Sequence, residues 1–232
     1  EGSSDKSIIY TAPYSDVAYI NGSLPAKAMK VSGAMPNPPK QLAIELAEEL
    51  KKQNIDFKGK IMINSEKIIN GEKPISFPDN KVILEYKSPT LDKIVYWFLK
   101  KSVNLFGETF VKTMAKEKTG NPSFESGMKY LKSFWKDKGI DERMINFVDG
   151  SGLSPQNYAS AKAEVQELLW AKKQPWFSAY YDGFPVMGNG MKMKSGSIKD
   201  SRAFTGYHTS ATGKNYVFSI IMNNYQANDL SN

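Results

Sequence analysis

The sequence contains no cysteine, so neither a disulfide framework nor a thiolate metal site is available to it. That absence suits an oxidising compartment as well as a reducing one. Histidine is almost as scarce: His208 stands alone, with no carboxylate at a ligand-like spacing, so it reads as structural and no metal site is supported. Arginine occurs only at Arg143 and Arg202, within a Lys plus Arg total of 31 and a net charge of +7. Nucleic-acid binding favours arginine-rich clusters with stacking aromatics on one element. Here the lysines spread over polar faces, the pattern of a solvated surface. No apolar run reaches the roughly eighteen residues that a membrane-spanning helix needs. What is present is a 41% hydrophobic and 12% aromatic composition over 232 residues. That suffices for a packed core, as one large domain or as one domain with part of another.

In chain order, Ser7–Thr11, Val17–Ile20 and Ala28–Val31 read as short strands separated by Gly, Pro and Asn turns. Asn37 then caps a helix with prolines just inside its start. Leu42, Leu46 and Leu50 recur in it at helical spacing to about Gln53. Lys60–Asn64 is a further strand candidate, and residues 65–80, rich in Gly, Lys, Pro and Asp, form a loop or boundary. Val82–Tyr86 reads as another strand. Two helices follow, from Leu91 to about Lys100 and from Val103 to about Lys116. On the second, Asn104 and Glu108 share a face and either brace a cleft or fix helix packing as a polar pair. Ser123–Lys138 carries Phe124, Met128, Leu131 and Trp135 as one core stripe. Ser160 caps a helix over Ala161–Trp170, and Pro175–Tyr181 is a short helix. Met191–Lys199, Ala203–Ser210 and Tyr216–Met222 read as three consecutive strands, with Gly213 in the last turn. The sum is an α+β chain.

Two stretches carry chemistry. Asp149-Gly-Ser-Gly-Leu-Ser-Pro-Gln-Asn157 is a glycine-hinged loop between a short strand and a helix, crowded with hydroxyls and amides. Lys194-Ser-Gly-Ser197 opens a strand with an ammonium group, a small hydroxyl and a glycine that gives another backbone room to approach. A loop bearing Ser and an amide, followed by Lys-(Ser/Thr)-Gly on a strand, is the later part of the signature of penicillin-binding proteins and β-lactamases. Lys118-Thr-Gly120 has the same letters but follows a helix, so its glycine reads as a helix stop.

The likeness goes beyond the generic signature. Asp-Gly-Ser-Gly-Leu-Ser-x-x-Asn resembles the D-alanyl-D-alanine carboxypeptidase/endopeptidase family, the class C low-molecular-mass penicillin-binding proteins. Ser88-Pro-Thr-Leu91, Ser102-Val-Asn-Leu-Phe-Gly-Glu108 and Gly33-Ala-Met-Pro-Asn-Pro-Pro39 resemble further segments of that family, and the similarity runs from about residue 17 to about residue 225. The resemblance implies a penicillin-binding-protein/β-lactamase-like transpeptidase domain, here partial, over residues 66–232. Residues 1–65 would be the end of an inserted accessory domain and its return linker. It further implies a serine peptidase without a cofactor, acting through an acyl-enzyme on peptidoglycan stem peptides, acylated by β-lactam antibiotics and placed in the bacterial periplasm or cell envelope.

On that reading Ser154 belongs to the proton relay and Lys194 supplies the positive field beside it. Ser195 keeps the hydroxyl where the family more often has Thr. Gly196 and the strand after it receive the acyl donor as an added strand, and the backbone near Ser197 gives one oxyanion donor. Ser-x-Asn spacing puts Gln156 at the amide position, whereas the family's loop favours Asn157. Pro155 departs from the basic residue that often follows the serine. The family's nucleophile lies in a Ser-x-x-Lys segment upstream of everything matched here. The strings Ser3–Lys6, Ser126–Lys129 and Ser133–Lys136 are about as many as chance supplies, and none stands in the family's position. The expectation is a C-terminal piece, inactive alone, whose sheet is completed by a separate N-terminal fragment or by another copy in a homo-oligomer. The alternative is a non-catalytic peptidoglycan-binding relative. A β-lactamase-like hydrolase is disfavoured, because the accessory-domain segments match the peptidases.

Overall fold

The computed structural model describes residues 5–12, 15–76, 81, 82 and 84–224, and the chain divides into two compact units between Glu85 and Tyr86. In the first unit, β1 (Ile8–Thr11) and β2 (Ala18–Asn21) form an antiparallel hairpin with Ile9 opposite Ile20 and Tyr10 opposite Tyr19. Helix α1 (Pro38–Lys52) begins with its prolines, where the missing N–H would have no partner, and ends with Lys51 and Lys52 against the negative end of the helix dipole.

Asn37 precedes α1 but makes no side-chain cap. Its buried amide instead donates to Glu66 at 3.2 Å and to Asp16 at 3.5 Å. Lys40 pairs with the same two carboxylates. This network joins α1 to α2 (Asn64–Ile69), a helix that stands where the sequence reads a strand end and a loop. The Asn64 side chain both donates to the Ile75 carbonyl, at 3.1 Å, and accepts from the Ile75 N–H, at 2.8 Å. Those bonds hold the stretch from Asn64 to Ile75 within the first unit. Among the described residues, Ala28–Val31, Lys60–Ile63 and Val82–Tyr86 form no strand. Val82, Leu84 and Tyr86 are more than four-fifths exposed, so the apolar alternation there packs against nothing among the described residues.

The second unit opens with α3 (Leu91–Lys101), α4 (Asn104–Thr119) and α5 (Phe124–Asp137). Ser102, in the left-handed region at φ 54°, turns the chain between the first two. Gly120, at φ 74°, closes α4 by donating to the Lys116 carbonyl, so Lys118-Thr-Gly120 is a helix stop. The Ser123 hydroxyl accepts the Ser126 N–H and starts α5. A 3₁₀ turn (Glu142–Met144) leads into β3 (Ile145–Asn146), which pairs antiparallel with β4 (Tyr158–Ala159). That two-stranded clip pinches off the 149–157 loop. Helix α6 (Ala161–Ala171), capped by the Ser160 hydroxyl, and α7 (Phe177–Asp182) follow.

The chain ends in an antiparallel meander of β5 (Lys192–Ile198), β6 (Ser201–Thr209) and β7 (Asn215–Asn223), with β5 at the edge. The register places Lys194, Thr205 and Ser219 on one sheet face, next to Gly196, Ala203 and Ile221. Helix α6 packs on that face. The Tyr207 hydroxyl donates to the Leu168 carbonyl at 2.9 Å, and the Ser219 hydroxyl to Glu164 at 2.7 Å. Leu99, Leu168, Phe184 and Tyr207 form the core between helices and sheet. Truncating a residue as buried as Phe184, 1% exposed, costs about 3–5 kcal/mol by the usual scale of such cavities. Ile140, Ile145 and Ala163, with Trp135 and Phe147 against them, form a second cluster beneath the loop.

Candidate active site

The 149–157 loop has little apolar surface, so its shape is set by hydrogen bonds to two carboxylates. Asp149 works from inside. Its Oδ1 accepts the Gly152 N–H at 2.6 Å and the Asn157 side-chain N–H at 2.9 Å, and its Oδ2 accepts the Ser154 N–H at 2.7 Å. Burial alone would raise its pKa, but these donors together with the Leu153 amide outweigh it and leave the carboxyl below its usual value. Glu108 works from outside. Its Oε1 accepts the Ser151 N–H at 3.1 Å and its Oε2 the Gly150 N–H at 3.3 Å. The residue before it permits this: a Cβ on Gly107 would lie 2.1 Å from the Gly150 carbonyl oxygen, and one on Gly150 would lie 2.2 Å from that of Gly107. Backbone meets backbone there, as only glycine allows. Of the two readings of Glu108, the structure shows it bracing the loop.

Asn157 is tied at both polar atoms, its Oδ1 accepting the Val148 N–H at 2.8 Å while its Nδ2 donates to Asp149. An asparagine amide carries two N–H bonds, so one remains. The Ser154 hydroxyl accepts the Gln156 N–H at 3.2 Å. Asn146 holds the Gln156 carbonyl at 2.9 Å.

A cavity of about 900 Å3 lies between this loop, the α3–α5 helices and the sheet, a size that suits a small ligand or a peptide segment. Ser154 and Asn157 line it from the loop, Gly196 and Ser197 from the edge strand. Lys194 lines a neighbouring hollow of about 620 Å3 that shares Leu91, Val95 and Glu164 with the first. Its ammonium donates to the Ser195 carbonyl at 2.7 Å, and burial lowers its pKa by disfavouring the charged form. Ser195 and Gln156 are exposed and line neither cavity. The structure thus brings together Ser154, Asn157, Gly196 and Ser197, with Lys194 in the adjoining hollow. Ser126 and Ser133 lie on α5, Ser126 taking a hydrogen bond from the Ser123 hydroxyl at 3.0 Å; Ser3 lies outside the described residues.

Two acids escape the sequence reading. Glu164 lines both cavities and Glu167 the smaller. Burial, and then the nearby Glu164 charge, push the Glu167 carboxyl up to about 7. The signal was available: Glu164, Glu167, Leu168 and Ala171 fall at i, i+3, i+4 and i+7, which puts both glutamates on the core-facing stripe of α6. Among the described residues no three His, Asp or Glu side chains converge as metal ligands, and no helix is long and apolar enough to cross a membrane.

This arrangement has relatives. The model of the D-Ala-D-Ala carboxypeptidase 3 (S13) family matches residues 3–232. A D-alanyl-D-alanine carboxypeptidase of Actinomadura sp. (strain R39) is 26% identical over 246 residues, covering 97% of this chain and 44% of that protein. The D-alanyl-D-alanine carboxypeptidase DacB of Haemophilus influenzae is 24% identical over 222 residues, covering 88% of this chain and 44% of that protein. The crystal structure of penicillin binding protein 4 (dacB) from Haemophilus influenzae superposes with a TM-score of 0.78 at 22% identity, over 98% of this chain and 52% of that one. A complex of the same protein with a β-lactam gives a TM-score of 0.75. The fold is therefore the expected α+β penicillin-binding-protein type, and the chain spans about half the length of the relatives it matches. With a family match along nearly its whole length, the chain belongs to the D-Ala-D-Ala carboxypeptidase 3 (S13) family.

Proposed function

We propose that this chain builds one wall of the substrate cleft of a serine D-alanyl-D-alanine carboxypeptidase/endopeptidase, which cleaves peptidoglycan stem peptides through an acyl-enzyme in the bacterial cell envelope. The observation that carries the reading is the cavity that the hydroxyl-and-amide loop shares with Gly196 and Ser197 of the edge strand, with Lys194 of the same Lys-Ser-Gly run in the adjoining hollow. The serine of a Ser-x-x-Lys segment of the protein attacks the carbonyl of the penultimate D-alanine. The bond to the terminal D-alanine breaks, and its nitrogen leaves with a proton. Ser154 serves as a relay for that proton. Asn157 offers its second amide N–H to a substrate carbonyl, a role Gln156 cannot share while it points away from the cleft.

Lys194, whose ammonium donates to the Ser195 carbonyl in this structure, is assigned to the substrate's terminal carboxylate, together with the Ser195 hydroxyl. Partial burial of its ammonium strengthens that attraction relative to water. The acyl donor lies along the outer edge of β5 past Gly196, where no side chain obstructs it, and the Ser197 N–H is one oxyanion donor. In this scheme residues 1–65 close the accessory domain.

Labelled penicillin tests the reading in the full-length protein. Covalent labelling is expected, and Lys194→Ala should slow it by at least about a hundredfold, the scale of one positioned electrostatic or proton-transfer group. Lys118→Ala should leave it within about twofold. Equal effects of the two would remove Lys194 from the site. Muropeptide binding without any adduct would be the behaviour of a non-catalytic peptidoglycan-binding relative.

A further inference from the structure

We infer that Glu164 and Glu167 are the acidic half of a buried ion pair, whose basic half is a Lys or Arg side chain on an apolar segment of the full-length protein outside this chain. The inference goes beyond the function proposed above and does not require it. Helix α6 sets both glutamates on its core-facing stripe, one turn apart. They open onto the hollow of about 620 Å3, walled by Leu91, Val95 and Leu99 of α3, Trp135 of α5, and by Trp176 and Phe184. Such walls offer a carboxylate neither solvation nor a hydrogen bond. Glu164 has the Ser219 hydroxyl, at 2.7 Å. The Glu167 Oε1 is buried and has no hydrogen-bond partner among the described residues. The other titratable groups lining the hollow are Asp92 from α3, Tyr180 from α7 and Lys194 from β5. Lys194 is the one cation among these described residues, and its ammonium is engaged with the Ser195 carbonyl. What the hollow lacks is a positive charge on an apolar stem. A bare metal ion matches the charge but leaves the aromatic walls uncovered. An aliphatic stem with a charged tip matches both, and a guanidinium has donors enough for two carboxylates. The same polypeptide is the source the lengths favour. This chain covers 44% of one relative and 52% of another, and a tethered segment reaches the hollow at high effective concentration.

The charge on Glu167 in the full-length protein decides the matter. Its carboxyl is followed by carbon-13 NMR of labelled glutamate, the signal being assigned by its loss in Glu167→Gln. Burial and the Glu164 charge, with no cation, push this carboxyl up to about 7, whereas a cation in the hollow holds it ionised. The signal should therefore not titrate between pH 5 and pH 8. Unfolding in denaturant at pH 8 is the second readout. Glu167→Gln strands the buried cation, so its unfolding equilibrium constant should rise at least about a hundredfold over that of the wild type. That sign is opposite to the one expected of the 232-residue chain, where the Glu167 Oε1 has no partner. Glu164→Gln leaves the cation one carboxylate, so it should cost less and keep Glu167 ionised. A Glu167 signal that titrates near 7 overturns the inference, as does a Glu167→Gln protein more stable than the wild type at pH 8. If Glu167→Gln does not fold, Glu167→Asp assigns the signal and the titration alone decides. A signal that starts to titrate only when an oligomer dissociates on dilution gives the cation to a second copy and overturns its source in the same polypeptide. None of these readouts uses penicillin, so their failure and that of the proposed function are separate results.

Discussion

At the scale of the residue, the 149–157 loop shows why a motif names side chains but not the atoms they have to spare. The letters Ser-Pro-Gln-Asn offer two amides. Only the hydrogen bonds show that Asn157 lines the cavity with one N–H to give while Gln156 stays outside. Asn157→Ala should therefore lose twice over. Acylation should fall by about a hundredfold with the substrate N–H, and stability by about 1–3 kcal/mol, because Val148 and Asp149 lose their partner. Gln156→Ala should leave acylation within about twofold and stability within about 0.5 kcal/mol. Penicillin acylation rates and denaturant midpoints of the two variants check this. A larger loss of acylation in Gln156→Ala would reverse the assignment. Asp149 and Glu108 were legible as residues but not as organisers, since that role needs donors from Gly150 to Asn157 to converge in space.

At the scale of the element, long periodic segments were readable and short ones were not. Helices α1, α3, α4, α5 and α6 and the β5–β7 meander stand where hydrophobic spacing put them, within a residue or so at most ends. Ala28–Val31, Lys60–Ile63 and Val82–Tyr86 have β-forming residues, but strand propensity reflects fit to a half-buried pleated surface, and the described residues of these segments form no strand. Helix α2 was hidden for the opposite reason. Its six residues are too few for a period to show, and it is held by Asn37 and Ile75 rather than by its own pattern.

Helix α6 gives a further test through Glu167, raised from 4.5 to about 7. The folded state holds this proton more tightly than the unfolded state. At pH below 4.5 both states are protonated and burial exacts no electrostatic penalty. As pH rises through about 7, ionisation in the folded state becomes unavoidable and the penalty reaches its full size. Stability should thus fall by on the order of 2–3 kcal/mol between those limits and level off above them. Glu167→Gln should flatten that slope and be the more stable protein at pH 8. Denaturant titrations of both proteins at pH 5 and pH 8 check it, and a slope retained by the variant would locate the titration elsewhere.

At the scale of the whole molecule, the two units carry unlike parts of the proposal. The first, through Glu85, is knit by the Asp16–Asn37–Lys40–Glu66 network. The second brings the Ser154 loop and the β5 edge to one cavity, an arrangement that charge and composition could not announce: a net charge of +7 describes a field, not a site. The central claim is that this cavity receives the acyl group. A crystal structure of the full-length protein acylated by a penicillin tests it most directly. The account predicts the adduct lying along β5, with its side-chain amide at Asn157, its carbonyl oxygen at the Ser197 N–H and its carboxylate within hydrogen-bond reach of Lys194 and Ser195. An adduct on Ser126 or Ser133 of α5, or one that touches neither the 149–157 loop nor β5, would contradict it.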